Sequence, residues 1–238
     1  MSILPQALTR LMARGADALL PGSCLLCAGD SGHDMVCPAC AADLPQLPEN
    51  TCPLCALPTT HGERCGSCLK DPPSFAATIA LYRYAYPLDH LVQALKYGGQ
   101  LGLALWFGQR LGQRLVAGAW DLALPLPLHP LRLRERGFNQ SLELARSACR
   151  DLGLPVRPEM VQRRRHTVAQ AGLKLKERHR NVRGAFDCGA DLTGRRILVF
   201  DDVMTSGSTL REFARVLKIH GAAEVTVAVI ARAIHAPS

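Results

Sequence analysis

The stretch that decides the fold runs from Arg195 to Leu210 and reads RRILVFDDVMTSGSTL. Four apolar residues, Ile197 to Phe200, lead into two adjacent carboxylates, Asp201 and Asp202, and then into a loop of small side chains. A short continuous apolar run bounded by turn residues reads as a strand buried on both faces. Strands of this kind belong to parallel sheets covered by helices, and such sheets bind ligands beyond the carboxyl ends of their strands. The loop Thr205 to Thr209, TSGST, opens directly into the helical pattern STLREFARVLKIHG. Its backbone N–H groups and hydroxyls would form a cradle at the positive end of that helix, suited to a phosphate monoester. The two carboxylates one step earlier would accept hydrogen bonds from neighbouring sugar hydroxyls. Strand, acid pair and loop together describe a site for a ribose 5-phosphate group. The metal-binding strand of a nucleotide hydrolase would need a G-x-x-x-x-G-K-[ST] loop elsewhere, and a dinucleotide site a G-x-G-x-x-G; the sequence has neither. The plainer alternative is an Asp-Asp turn that caps a helix.

Outward from this stretch the pattern repeats. ATIALYRYA alternates like a strand, PLDHLVQALKYGG and LGLALWFGQRLGQRLVAG read as helices, and WDLALPLPLHP reads as a short buried strand entering a Pro-rich loop. NQSLELARSACRDLG is a helix closed by Gly153, STLREFARVLKIHG a helix closed by Gly221, and AEVTVAVIAR a further strand. Alternating strands and helices give an α/β fold with a mostly parallel sheet flanked by helices, assigned to residues 75–238. A Pro-bearing hinge near Asp71 to Ser74 precedes it.

Eight of the ten cysteines lie ahead of that hinge as four C-x2-C pairs: Cys24/Cys27, Cys37/Cys40, Cys52/Cys55 and Cys65/Cys68. Nine residues separate the two pairs within each half, so residues 23–70 read as a duplicated unit. Each C-x2-C turn aims two thiolates at one point, and a second turn completes a tetrahedron around zinc. Disulfides need an oxidising compartment, and redox motifs do not come four in tandem. Two structural zinc ions are therefore expected, with no open coordination position. Each half is expected to close its own site, Cys24, Cys27, Cys37, Cys40 and then Cys52, Cys55, Cys65, Cys68, while spacing leaves a cross-braced arrangement open. His33 and His61 lie in the loops but are not needed as ligands. Cys149 and Cys188 stand alone and read as buried small hydrophobes.

The chain has 238 residues, 48% of them hydrophobic, enough for one full domain and a small one. No apolar run approaches the roughly 20 residues of a membrane span. Arg10 and Arg14 interrupt the apolar start, which excludes a signal peptide and implies a cytoplasmic protein. Leu4, Leu8, Leu11, Met12, Gly15 and Leu19 fall at helical spacing, so residues 1–22 are assigned to an amphipathic helix that caps the protein's own core. The formal charge is +8, and Arg132 to Arg183 alone holds 14 Lys or Arg against 5 Asp or Glu. This excess is either a solvated basic face or the seat of an anionic partner such as a phosphate, a pyrophosphate or a nucleic acid.

VFDDVMTSGSTL resembles the phosphoribosyl pyrophosphate (PRPP) motif of the type I phosphoribosyltransferases. More closely, the chain resembles the bacterial competence protein F (ComF) family, which sets a Cys-rich zinc segment ahead of a phosphoribosyltransferase domain. LKYGG, LPLPLHPLRLRERGFNQS, RHTVAQAGLKLKERHRNVRGAF and the PRPP motif occur in that family's order, over almost the whole chain. The departures are slight: Ser206 and Ser208 stand where Thr and a small residue are frequent, and LPLP replaces the more usual VPVP.

The resemblance implies a type I phosphoribosyltransferase-like sheet behind a double zinc ribbon, and binding of PRPP with Mg2+. It implies that Asp201 and Asp202 hold the ribose hydroxyls and that Thr205, Ser206, Gly207, Ser208 and Thr209 hold the 5-phosphate. The loop from His129 to Arg136 would bind pyrophosphate, with Lys96 as a helper. Arg163 to Arg178, with Thr167, Gln170 and Arg178, would be the mobile loop that closes over PRPP. Pyrophosphate would leave the anomeric carbon through an oxocarbenium-like state, stabilised by Arg, Lys and Mg2+ with water excluded. The family's association with natural transformation implies a part in DNA uptake, with single-stranded DNA and other competence proteins as partners. Two functions follow: phosphoribosyl transfer to an acceptor the sequence leaves open, or a non-catalytic factor that senses PRPP or binds single-stranded DNA. Aromatic residues are 5% of the chain, and the basic segment offers Phe138 and Phe186 for stacking bases.

Overall fold

The computed structural model describes residues 22–165 and 182–234. The expected helix over residues 1–22 lies outside these but for Gly22. The chain divides into two compact units, Met1–Leu44 and Pro45–Ser238.

In the first unit, β1 (Gly22–Ser23) pairs antiparallel with β2 (Asp30–Gly32), and a short helix α1 (Pro38–Ala42) follows. Cys37 is the N-cap of α1, and its sulfur accepts from the Cys40 N–H at 3.5 Å. The second unit opens on the same design. Cys65 is the N-cap of α2 (Gly66–Lys70). The first knuckle of each half ends on a residue with positive φ, Ala28 at 60° and Ala56 at 55°. Each of these donates its N–H back to the leading cysteine, to Cys24 O and Cys52 O, both at 2.9 Å. The duplication read from cysteine spacing is thus a duplication of backbone conformation.

The rest of the second unit is built on a four-stranded, all-parallel sheet. Its strands are β3 (Ala77–Arg83), β4 (Leu122–Pro125), β7 (Arg196–Met204) and β8 (Glu224–Arg232), in the spatial order β3-β8-β7-β4. Ile197, Leu198, Val199 and Phe200 are each at most 1% exposed, as a strand covered on both faces requires. Helices α3 (Leu88–Tyr97) and α4 (Leu101–Gly112) connect β3 to β4. α5 (Pro130–Arg136) and α6 (Gln140–Cys149) follow β4, and α7 (Ser208–Ile219) joins β7 to β8. α4 and α6 approach closely because Gly108 has no side chain: a Cβ there would sit 2.4 Å from Ser147 Cβ. The core is filled by Phe75, Phe107, Phe200, Phe213 and the strand aliphatics, each worth about 1.5–3 kcal/mol relative to exposure. Cys149 and Cys188 are buried, as expected of small hydrophobes.

Two elements depart from the sequence reading. The stretch after Pro127 is not all loop, since α5 starts at Pro130 and stops at Gly137 (φ 80°). Proline at a helix's first position and glycine just past its end are helix punctuation, here mistaken for loop composition. Second, β5 (Val161–Arg163) and β6 (Phe186–Cys188) form a separate antiparallel pair that brackets the basic segment RRHTVAQAGLKLKERHRNVRG. Phe186 packs edge-on against Phe213 and is 7% exposed, so it belongs to the core and cannot stack on a base.

Candidate functional site

β7 emerges from the core at Asp201 and Asp202, beside the first turn of α6. Asp202 is 5% exposed, and its carboxylate is surrounded by donors. Lys96, in the last turn of α3, places Nζ 3.0 Å from Oδ1, and the Val203 N–H donates to the same oxygen at 2.6 Å. Gln140 Nε2 donates to Oδ2 at 2.9 Å, while Gln140 Oε1 accepts from Arg136 at 2.7 Å. Lys96, Arg136 and Asp202, far apart in sequence, are therefore one network joined by Gln140. Asp201 accepts from Ser141 Oγ at 3.2 Å and from the Asp202 N–H at 2.9 Å.

These surroundings set the charges. Burial, then the negative charge of Asp202, pushes the Asp201 carboxyl up to about 7. Burial acts to lower the Lys96 ammonium, but Asp202 and Asp201 more than offset it and hold it above its ordinary value. Arg163, at the end of β5, is pulled down by burial while Asp201 opposes the shift. The acid pair thus faces cations from two separate elements, α3 and β5.

Past Met204 the chain makes the expected tight loop into α7. Gly207 takes the left-handed conformation (φ 75°), and the Ser206 and Ser208 hydroxyls are hydrogen-bonded to each other at 2.8 Å. It is the left-handed conformation that requires glycine here, since the nearest atom to a Cβ, Met204 Cε at 2.7 Å, is the mobile end of a flexible side chain. Thr205, Ser206 and Thr209 are half-buried, and Ser208 is buried at the head of the helix. That head carries the helix's partial positive charge, and its Ser208 N–H donates to Ser206 Oγ at 3.4 Å.

On the other side of Lys96 a cleft of about 200 Å³ is lined by Lys96, Tyr97, Arg132, Glu135, Arg136 and Phe138. Arg136 lies over the Tyr97 ring at 5.1 Å, and Tyr97 is 74% exposed. His129 is the N-cap of α5, its Nδ1 accepting from the Leu131 N–H at 3.3 Å. Thr167, Gln170 and Arg178 lie outside the described residues.

Gln140, Ser141 and Tyr97 were missed by the sequence reading. The signal for the first two was present, because FNQS continues the RERG motif and supplies two polar residues to the buried first turn of a helix.

The cysteines close sequentially: Cys24, Cys27, Cys37 and Cys40 form one cluster, Cys52, Cys55, Cys65 and Cys68 the other, with donor atoms within 4.8 Å of each other. The cross-braced alternative is excluded. Thiolates about 2.3 Å from a tetrahedral zinc lie about 3.8 Å apart. Cys27 Sγ to Cys37 Sγ is 3.8 Å and Cys55 Sγ to Cys65 Sγ is 3.6 Å, so both sites fit zinc and use four protein donors each. At Cys24 burial opposes the thiolate, but N–H donors from Cys37, Cys27 and Leu26 more than offset it and bring it to about 6. The second cluster is continuous with the sheet's core, since Cys52, Cys55 and Cys68 pack in the same apolar cluster as Val199, Phe213 and Val229.

Residues 15–69 match the double zinc ribbon domain, and residues 139–237 match the phosphoribosyl transferase domain. The chain is 31% identical over 175 residues to competence protein F of Haemophilus influenzae, covering 68% of this chain and 75% of that protein. It is 33% identical over 224 residues to the DNA utilization protein YhgH of Salmonella typhi, covering 90% and 99% respectively. Among solved structures, glutamine PRPP amidotransferase of B. subtilis is similar at 18% identity with a TM-score of 0.41, over 58% of this chain and 30% of that one.

Proposed function

The chain belongs to the competence protein F family, and on that premise we propose that it binds PRPP with Mg2+ and transfers the phosphoribosyl group to an acceptor, in the cytoplasm, in the service of DNA uptake. One observation supports this above the others: two carboxylates at the end of a buried parallel strand stand between a glycine-bearing loop at a helix head and the Lys96–Asp202–Gln140–Arg136 network. In this reading Asp201 and Asp202 accept the ribose hydroxyls, and Thr205 to Thr209 cradle the 5-phosphate. The diphosphate lies towards Lys96, Arg132 and Arg136, whose charges would stabilise it as it leaves. Gln170 and Arg178, outside the described residues, would contact the ligand as well.

The donor set suits Mg2+ in one way only. Carboxylate oxygens are the right ligands for a hard cation, but Lys96 already neutralises Asp202. The acid pair therefore fits a magnesium ion that arrives on the diphosphate, more than one held by protein alone. When bound, the ion would supply charge neutralisation of the leaving group.

A second reading, a non-catalytic factor that senses PRPP or binds single-stranded DNA, is favoured by the exposed Tyr97 ring beside Arg132 and Arg136 at the cleft rim. Release of pyrophosphate from PRPP and Mg2+, screened over bases and amines, tests the first reading. Acceptor-dependent release that disappears in Asp202→Asn supports it. No release, together with salt-dependent DNA binding that survives Asp202→Asn, overturns turnover in favour of the second.

A further inference from the structure

Arg232 closes β8 and is only 3% exposed, at the end of a run, Val225 to Ala231, that is apolar but for Thr226. A guanidinium keeps its charge even when buried. Such a cation needs both hydrogen-bond acceptors and compensating negative charge. Its partners among the described residues are main-chain carbonyls. Nε donates to Cys55 O at 2.7 Å, and one terminal nitrogen donates to Met204 O at 2.8 Å, to Ala233 O at 2.7 Å and to Thr205 O. Cys55 belongs to the second cysteine cluster, Met204 ends β7, and Thr205 begins the phosphate loop. One buried side chain therefore touches both the metal knuckle and the loop.

The compensating charge lies on the metal side. Four thiolates around one divalent zinc leave a net charge of about −2. Cys55, one of the four ligand residues, lies directly against Arg232 through the Nε contact to its carbonyl at 2.7 Å. Two further contacts join the same elements. Thr78 Oγ1 donates to Leu54 O at 2.6 Å and lies 3.9 Å from Met204 Sδ, and Arg211, in the first turn of α7, donates to Asp71 O at 2.8 Å.

We propose that the second four-cysteine zinc site sets the conformation of the phosphate loop through Arg232. The metal knuckle holds the guanidinium through the Cys55 carbonyl, and the guanidinium fixes the carbonyls of Met204 and Thr205, so that the N–H groups that follow face the anion. Arg232 is a positioning residue, and the first four-cysteine site, in the unit Met1–Leu44, serves as the control. The ligand named here rests on the phosphate-loop reading above, but the state of the loop can be measured without any ligand.

The test compares hydrogen exchange in the zinc-loaded full chain and in Arg232→Lys, Cys65→Ser and Cys40→Ser. Amides of residues 204–210 exchange at least about tenfold faster in Arg232→Lys and Cys65→Ser, and as wild type in Cys40→Ser, while residues 225–231 stay protected. Titration separates local from global effects: ribose 5-phosphate affinity falls at least about tenfold in the two affected variants, and pyrophosphate affinity stays within about twofold. Wild-type exchange of the loop in Arg232→Lys overturns the proposal. So does loss of protection at residues 225–231 in that variant with its zinc intact, since the role would then be global. If Cys65→Ser loses that protection, Arg232→Lys, which keeps every thiol, decides alone. Failure of the wild-type protein to bind ribose 5-phosphate removes the functional reading, and the exchange contrast still decides the coupling.

Discussion

Gln140 Nε2 donates to Asp202 Oδ2 at 2.9 Å while its own carbonyl takes Arg136 at 2.7 Å, so a neutral amide couples an acid and a cation that do not pair directly. Both ends of the amide are used, and Gln140 is 4% exposed. Gln140→Leu leaves a buried carboxylate oxygen without its donor. We expect a loss of about 1–3 kcal/mol in stability by denaturant titration. Pyrophosphate affinity falls about tenfold because Arg136 is no longer oriented; unchanged affinity would show that Arg136 is positioned by something else.

On the proposed assignment of the site, Asp201 makes PRPP binding depend on pH. Its carboxyl is held at about 7, above the ordinary 3.8, by burial and by Asp202. Between those values the folded chain keeps a proton that the unfolded chain has lost, so this group's contribution to stability falls as pH rises. Ligand binding has the opposite sign, since sugar hydroxyls are accepted by the ionised form. PRPP affinity is expected to rise from about pH 6 to about pH 8, and Asp201→Asn to flatten that rise, measured by calorimetry at several pH values. An equal slope in the variant would assign the dependence to the ligand's own phosphate.

Gly207→Ala strains the loop at the head of α7 through its positive φ, while the Met204 methyl can move aside. A left-handed non-glycine residue costs about 1–2 kcal/mol. The melting temperature should drop modestly while ribose 5-phosphate binding is lost. Retained binding would mean that the loop conformation is not the one that holds phosphate.

The two cysteine clusters should differ in what they support. Cys68 is 1% exposed within the core shared with the sheet, so Cys68→Ala should lower the midpoint of the main cooperative melting transition of the chain. Cys24→Ala removes a ligand from Met1–Leu44 and should leave the transition of Pro45–Ser238 in place. Scanning calorimetry with zinc analysis distinguishes the two; identical losses would contradict the division.

Much of this site was legible in RRILVFDDVMTSGSTL, because a buried strand, an acid pair and a glycine turn are all local signals. The cysteine spacing likewise announced two four-thiol sites closed in sequence, and the fold excludes the cross-braced alternative that spacing left open. What sequence could not supply was partnership across the chain. Nothing local to Gln140 says that its amide meets Asp202, 62 residues on, and nothing local to Arg232 says that it reaches Cys55, 177 residues back. An arginine ending an apolar strand at the carboxyl edge of a parallel sheet was the available clue. α5 was missed for the opposite reason: Pro130 and Gly137 are breakers in composition but caps in position.

The most direct measurement is calorimetric titration of the zinc-loaded protein with PRPP and Mg2+, beside Asp201→Asn/Asp202→Asn. A dissociation constant of roughly 1 µM to 1 mM is expected for the wild-type chain. Loss of two charge-assisted acceptors should weaken it at least about 100-fold in the double variant. Equal binding by both proteins, or none by the folded wild type, would contradict the assignment of this site to PRPP.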